Sequence, residues 1–353
     1  MKHRKIIGVV AMVLLVTLAG GMVYAGGKRE SDPSTAANTV TITDAAGRQL
    51  TISQPVERVV ILDTGPFEVL AALGVLDRVV GNHKSLEGSP LYPELAGVPV
   101  VATNSEVNFE LLAQLQPQVV ISSVRAHGVV TDEEALSGFN IVDIKLNLRN
   151  PDLMKEEILL LGKVFDREEK AREIAAFYDQ YESFITGKVR NIPAEKRPQV
   201  FVEYHAGDFK TGAPNSRFYQ QVVLAGANNI AVDLVEEPQV DGEWVARMNP
   251  DFFIREASGF GYTVENTDSA KSIYGEIKNR EALRRTNAIV NNQLYLVSID
   301  IYSRPGYIVG VSYLAKWFYP DLFSDFNPEQ VHREYMTLFH PGREFRGLWT
   351  YNE

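Results

Sequence analysis

The sequence predicts an α/β protein of two lobes, each built on a mainly parallel central sheet, joined by a single long backbone helix, with a ligand cleft between the lobes. Three observations predict it. Residues 108–123, NFELLAQLQPQVVISS, read as a capped short helix, a proline stop and a buried strand. Asn108 and Glu110 suit the positive helix end, Leu111, Leu112 and Leu115 give one apolar stripe, and VVIS is β-branched. A similar unit recurs in the other half, where Glu243, Trp244 and Val245 lead through Asn249-Pro250-Asp251 into Phe252, Phe253 and Ile254. Residues 152–189 then keep helical periodicity without proline, broken only near Gly162 and Asp166. A helix over 168–189 would run about 30 Å, enough to cross a small domain and brace two lobes stiffly. A cleft between two related α/β halves is the natural place for a ligand.

The other elements follow in order. Thr39 to Thr43 alternates like a strand, and Asp44-Ala45-Ala46-Gly47-Arg48 turns it into a second strand over 49–52, a hairpin. Arg58 to Leu62 is a buried strand, and Gly65-Pro66 opens a helix carrying Phe67, Val69, Leu70 and Leu73 up to Gly74. A short strand at 79–81 continues the strand–helix alternation of a parallel sheet. Ile192-Pro193 ends the long helix, and Gln199 to Glu203 starts the second half. The predicted division is residues 1–25 as signal peptide or N-terminal anchor, 26–38 as flexible tether, 39–150 as first lobe, 151–192 as bridging helical segment and 193–353 as second lobe.

At 353 residues the chain can fill two cores, and 45% hydrophobic with 23% charged residues is a globular composition. A net charge of −10 offers no broad basic face for phosphates, so no nucleic-acid partner is expected. Lys2, His3, Arg4 and Lys5 precede an uncharged stretch over 6–25 that ends in Val23-Tyr24-Ala25 before Gly26, a cleavable export pattern. The chain is expected in the periplasm or on the outer face of the cytoplasmic membrane. It has no cysteine, which excludes disulfides and a lipid-modified cysteine. An enzyme is not expected. GxSxG, GxxxxGK[ST] and HExxH motifs are absent, and nothing in the spacing of Asp63, Glu68 and Glu203 requires a catalytic carboxylate pair. Neither a catalytic residue, a cofactor nor a protein-held metal is expected. His83, His127, His205, His332 and His340 show no close pairing of the HxH or HxxxH kind, although His83 and His205 on opposite lobes can approach each other.

Several pieces in order carry a resemblance: the DAAGR hairpin, RVVILDTGPFEVLAALG, NFELLAQLQPQVVIS, the single long helix, TGAPNSRFYQQVVLAGANNIA and VARMNPDFFI. Over residues 40–320 the chain resembles the helical-backbone class of ABC-transporter substrate-binding proteins, which includes iron–siderophore and vitamin B12-binding proteins. The resemblance implies a monomer that works with an ABC permease and ATPase complex. It also implies one exposed glutamate per lobe that pairs with permease arginines, and Glu110 and Glu243 occupy the matching places. The alternative is that both are ordinary acids at a helix start.

Ligand contacts are expected at the strand ends, where open α/β sheets present their ligands. The candidates are Thr64, His83, Asn104, Ser123 and Arg125 from the first lobe. From the second come Tyr204, His205, Asn215, Arg217, Arg255, Tyr302 and Arg304. Arg125, Arg217, Arg255 and Arg304 give the cleft a cationic inclination within an acidic protein, suited to charged oxygen ligands. An anionic iron–siderophore type of chelate is therefore expected, with a molybdate or tungstate type of oxyanion, a corrinoid or haem as alternatives. Each arginine can also serve a surface ion pair, each aromatic can simply pack, and Asn215 or Ser216 can simply cap a helix.

Overall fold

The computed structural model describes residues 38–124, 136, 138–214 and 216–353. The expected export segment therefore lies outside the described residues, as do Arg125, His127 and Asn215. No helix among the described residues is long and apolar enough to cross a membrane.

β1 (Thr39–Thr43) and β2 (Gln49–Ser53) form the expected antiparallel hairpin. The first lobe's sheet contains β3 (Val59–Ile61), β4 (Val79–His83), β5 (Val100–Ala102), β6 (Val119–Ser123) and β7 (Val142–Leu146). They lie in the order β5-β4-β3-β6-β7, and every neighbouring pair is parallel. The second sheet is built from β8 (Gln199–Glu203), β9 (Asn228–Asn229), β10 (Phe252–Ala257), β11 (Leu294–Ser298) and β12 (Thr350–Tyr351). Its order is β12-β11-β10-β8-β9, parallel except for the antiparallel edge strand β12.

The helices that matter for the site are α1 (Gly65–Leu73), α2 (Phe109–Leu115), α3 (Pro151–Val164), α4 (Glu168–Val189), α5 (Arg217–Leu224) and α6 (Gly242–Met248). They continue with α7 (Ile299–Tyr302), α8 (Tyr307–Phe318) and α9 (Pro328–Phe339). The repeated unit read from sequence is geometrically real. Asn108 Oδ1 accepts the Leu111 N–H at 2.9 Å to start α2, and Asp241 Oδ1 accepts the Trp244 N–H at 2.6 Å to start α6. Both helices end on a left-handed residue, Gln116 at φ 45° and Asn249 at φ 46°, followed by proline and a central strand. The long helix is α4, with 22 residues, entered from α3 through Asp166 at φ 57°. Gly162 lets the two helices meet, since a Cβ there would sit 2.4 Å from that of Ala171.

Strand periodicity explains how the lobes are joined. In β3, Val59 and Ile61 face one side and Val60 the other; in β8, Val200 and Val202 oppose Phe201. The inward sets of both sheets share one apolar cluster with Ile174, Tyr178 and Ile185 of α4, while the outward sets form separate clusters under their own helices. The brace is thus embedded in a core common to both lobes.

The chain beyond α8, for which the sequence offers no functional account, runs across both lobes. Tyr335 of α9 donates its hydroxyl hydrogen to Glu68 of α1. Arg343 donates to the Leu91 carbonyl at 3.1 Å and pairs with Glu94. Leu348 N–H then reaches the Gly261 carbonyl at 3.2 Å, and β12 closes the second sheet. Gly347, at φ 102°, is required there because a Cβ would lie 2.3 Å from Gly261 O.

His332 is fully buried in this segment, edge-on to Phe345 and Trp349 at 4.9 and 4.5 Å. Neither ring nitrogen has a hydrogen-bond partner among the described residues. Burial, reinforced by His340 and Arg333, pushes its pKa down to about 3. A depressed base makes its full contribution above its unfolded pKa and loses it as pH falls from about 6.5 toward 3. His332→Phe is expected to flatten the acid limb of stability. Thermal unfolding at a series of pH values checks this, and a limb as steep as in the wild type would refute it.

Candidate functional site

The carboxyl ends of both parallel sheets face one cavity of about 560 Å³. Thr64 and Glu68 reach it from the start of α1 and Tyr92 from the loop after β4, while Asp300 and Arg304 enter from beyond β11. Its remaining wall includes Tyr335, His340 and Trp349, so the C-terminal segment is part of the cleft.

Arg304 is the pivot. It holds a left-handed backbone at φ 59°, an uncommon conformation for a non-glycine residue. Its Nη1 lies 3.9 Å from both Glu68 Oε1 and Asp300 Oδ1. Burial would lower its pKa, but Asp300 and Glu68 hold it above the usual value. Burial raises the Glu68 carboxyl to about 7 against the opposing pull of Arg304 and the Tyr335 hydrogen bond. Asp63, at the end of β3, accepts from the Thr64 N–H at 2.6 Å and from Arg149 Nη2 at 3.1 Å. Burial would raise its pKa, but the Arg149 charge and these bonds hold it below the usual range. His83 ends β4, with Nδ1 accepting the Ser85 N–H at 3.2 Å. Burial lowers its pKa, and the charges of Asp63, Arg149 and Arg304 all act on it.

The second lobe adds a connected set. Arg217 Nε donates to Ser303 Oγ at 3.1 Å, and its Nη2 lies 3.9 Å from Glu256 Oε1. The guanidinium stacks 4.0 Å over the Phe218 ring and 5.6 Å from that of Tyr204. Ser303 donates to Glu256 at 2.8 Å, and His205 Nδ1 is 2.7 Å from the other Glu256 oxygen. Burial lowers the Arg217 pKa, and the Arg149 charge on the opposite lobe pushes the same way. Arginines of both lobes are thus close enough to repel one another across the cleft.

The sequence candidates separate accordingly. Thr64 and Arg304 line the cavity, His83 lies within reach of its charges, and Arg217 and His205 meet at Glu256. Arg255 turns onto buried Glu203 at 2.8 Å and onto the Tyr204 carbonyl at 2.5 Å. Tyr302 is fully buried, and its carbonyl accepts from Gln221 at 2.5 Å. Tyr204 is buried against Phe218, Ser123 is buried at the end of β6, and Asn104 is exposed after β5. Sequence reasoning missed Arg149, Tyr92, Tyr335 and Trp349. For Arg149 a signal existed: it lies three residues past β7, beyond a strand end of the kind used to choose the other candidates. Glu110 and Glu243 are each the second residue of their helices and exposed, at equivalent places on the two lobes.

Residues 59–299 match the periplasmic binding protein family. The chain is similar to the ABC transporter substrate-binding lipoprotein YvrC of Bacillus subtilis, 25% identical over 332 residues that span 92% of this chain and 100% of the relative. It is 24% identical over 336 residues to the molybdate-binding protein MolA of Haemophilus influenzae, covering 85% of this chain and 90% of MolA. Among solved structures, the TroA-like periplasmic binding protein FepB of Veillonella parvula superposes with a TM-score of 0.76 at 25% identity, covering 89% of this chain and 99% of that one.

Proposed function

This chain belongs to the periplasmic binding protein family, and we propose that, as the substrate-binding component of an ABC importer, it captures an anionic, oxygen-ligated iron chelate outside the cytoplasm. The observation that carries the reading is Arg304 in the cavity wall, with Arg149 held on Asp63 at 3.1 Å in the first lobe and Arg217 on Ser303 at 3.1 Å in the second. Guanidinium groups recognise carboxylate, phenolate and oxyanion oxygens through forked hydrogen bonds. The cavity of about 560 Å³ is of the size that holds a compact chelate. The shared core and the braced lobes favour a preformed site with little ordering cost on binding. Glu110 and Glu243 would then seat the loaded protein on the permease. A smaller oxyanion is the second reading, favoured by the similarity to MolA along most of both chains.

Calorimetric titration with ferric citrate, a ferric catecholate, molybdate and cyanocobalamin tests this. At least one of the anions is expected to bind and cyanocobalamin is not. Binding of cyanocobalamin with none of the anions would overturn the reading.

A further inference from the structure

Glu68 sits in the wall of the cavity, only 5% exposed. One of its carboxyl oxygens, Oε2, accepts the Tyr335 hydrogen. The other faces Arg304 Nη1 at 3.9 Å, beyond hydrogen-bond reach, and Asp300 faces the same nitrogen at the same distance. Arg304 Nε is buried and has no hydrogen-bond partner among the described residues. One guanidinium therefore confronts two carboxylates, while Asp63 already has Arg149. An anion that engages Arg304 would stand beside two carboxylates in a space largely withdrawn from water, where like charges repel strongly.

We propose that Glu68 is a specificity-determining residue that admits an anion only together with one shared proton, carried in on the ligand or taken from solvent by the Glu68 carboxyl. The inference rests on the anionic-ligand reading above. With Tyr335 fixed on Oε2, the proton sits on Oε1 and is donated into the cavity. The ligand must therefore offer an oxygen acceptor there rather than an N–H group.

The groups that face Glu68 are consistent with this. Tyr92 approaches from the loop after β4, Tyr178 from α4 and Tyr335 from α9, and burial raises all three well above their usual pKa, so none ionises near neutrality. Arg304 is held in its charged form by Asp300 and Glu68 against the pull of burial. Asp300, also raised by burial, is the competing proton acceptor. Glu68 itself is placed by burial where a nearby anion readily tips it to the neutral form.

The test is calorimetric titration of the whole protein with molybdate, which carries no proton from about pH 6 to 9, and with ferric citrate, in buffers of different ionisation enthalpy. The wild type is expected to take up about one proton per ligand at the alkaline end, with affinity falling about tenfold per pH unit above the Glu68 midpoint. Glu68→Gln should bind without uptake and with nearly level affinity, whereas Asp300→Asn should keep the uptake. Tyr335→Phe, by removing a bond that favours the ionised carboxylate, should move the midpoint upward. Wild-type binding without proton uptake, uptake that survives in Glu68→Gln, or uptake lost only in Asp300→Asn would each overturn the role of Glu68. If molybdate, ferric citrate and a ferric catecholate all fail to bind at any pH, the anionic reading itself fails, and this inference with it.

Discussion

Reversing Glu110 and Glu243 together, as Glu110→Arg with Glu243→Arg, is expected to abolish transport while leaving ligand affinity within about twofold. Both carboxylates are exposed on the first turn of short, capped helices. Backbone N–H groups and the helix dipole hold such an acid in a defined place, so it is presented to a partner at little entropic cost. Two contacts far apart on equivalent faces fix orientation and steer encounter more than they add affinity. A single reversal keeps one anchor and should reduce uptake partially, by about tenfold or more. Neither residue lines the cavity, so calorimetry on the purified double variant and uptake assays in cells carrying the cognate permease separate the two effects. Lost ligand binding, or unchanged uptake, would refute the docking role.

The fold was legible because its signals are local. Alternation within strands, an Asn or Asp cap, a left-handed stop and a proline all act within about ten residues, and they recur in both lobes. The wall of the candidate cavity was legible only where a residue follows a strand whose direction is already known, as with Thr64 and Arg304. Tyr335 and Trp349 reach the cavity from a segment that follows the last parallel strand and returns across both lobes, and no short-range pattern announces such a return. Arg217 and Arg255 look alike in sequence, each an arginine near the start or end of an element in the second half. What separates them is strand adjacency: Arg255 on β10 stands in register with Glu203 on β8. That pairing depends on a sheet order in which strands distant in sequence become neighbours. In the same way, the core shared through α4 follows from which face of each strand turns inward once the sheets are placed.

The distinction between those two arginines yields the second large effect. Arg217→Gln is expected to weaken anion binding about 100-fold, the loss of a charge-assisted hydrogen bond worth about 3 kcal/mol. It should disturb the fold little, because Glu256 keeps Ser303 at 2.8 Å and His205 at 2.7 Å as partners. Arg255→Gln should behave in the opposite way. Glu203 is fully buried and is shared between Arg255 at 2.8 Å and Arg280 at 2.5 Å. Burial raises its pKa despite both arginines, so its ionised form depends on keeping them. Breaking such a buried pair from one side costs about 3–5 kcal/mol, because a charge is left without compensation. Arg280 remains, which places the expected loss near the lower figure. Denaturant unfolding and anion titration on the two variants should therefore give crossed results, with stability lost in one and affinity in the other. Equal loss of affinity in both would mean that Arg255 also reaches the ligand. Unchanged affinity in Arg217→Gln would remove this arginine from the anion site, leaving only Arg149 and Arg304 to carry the anionic reading.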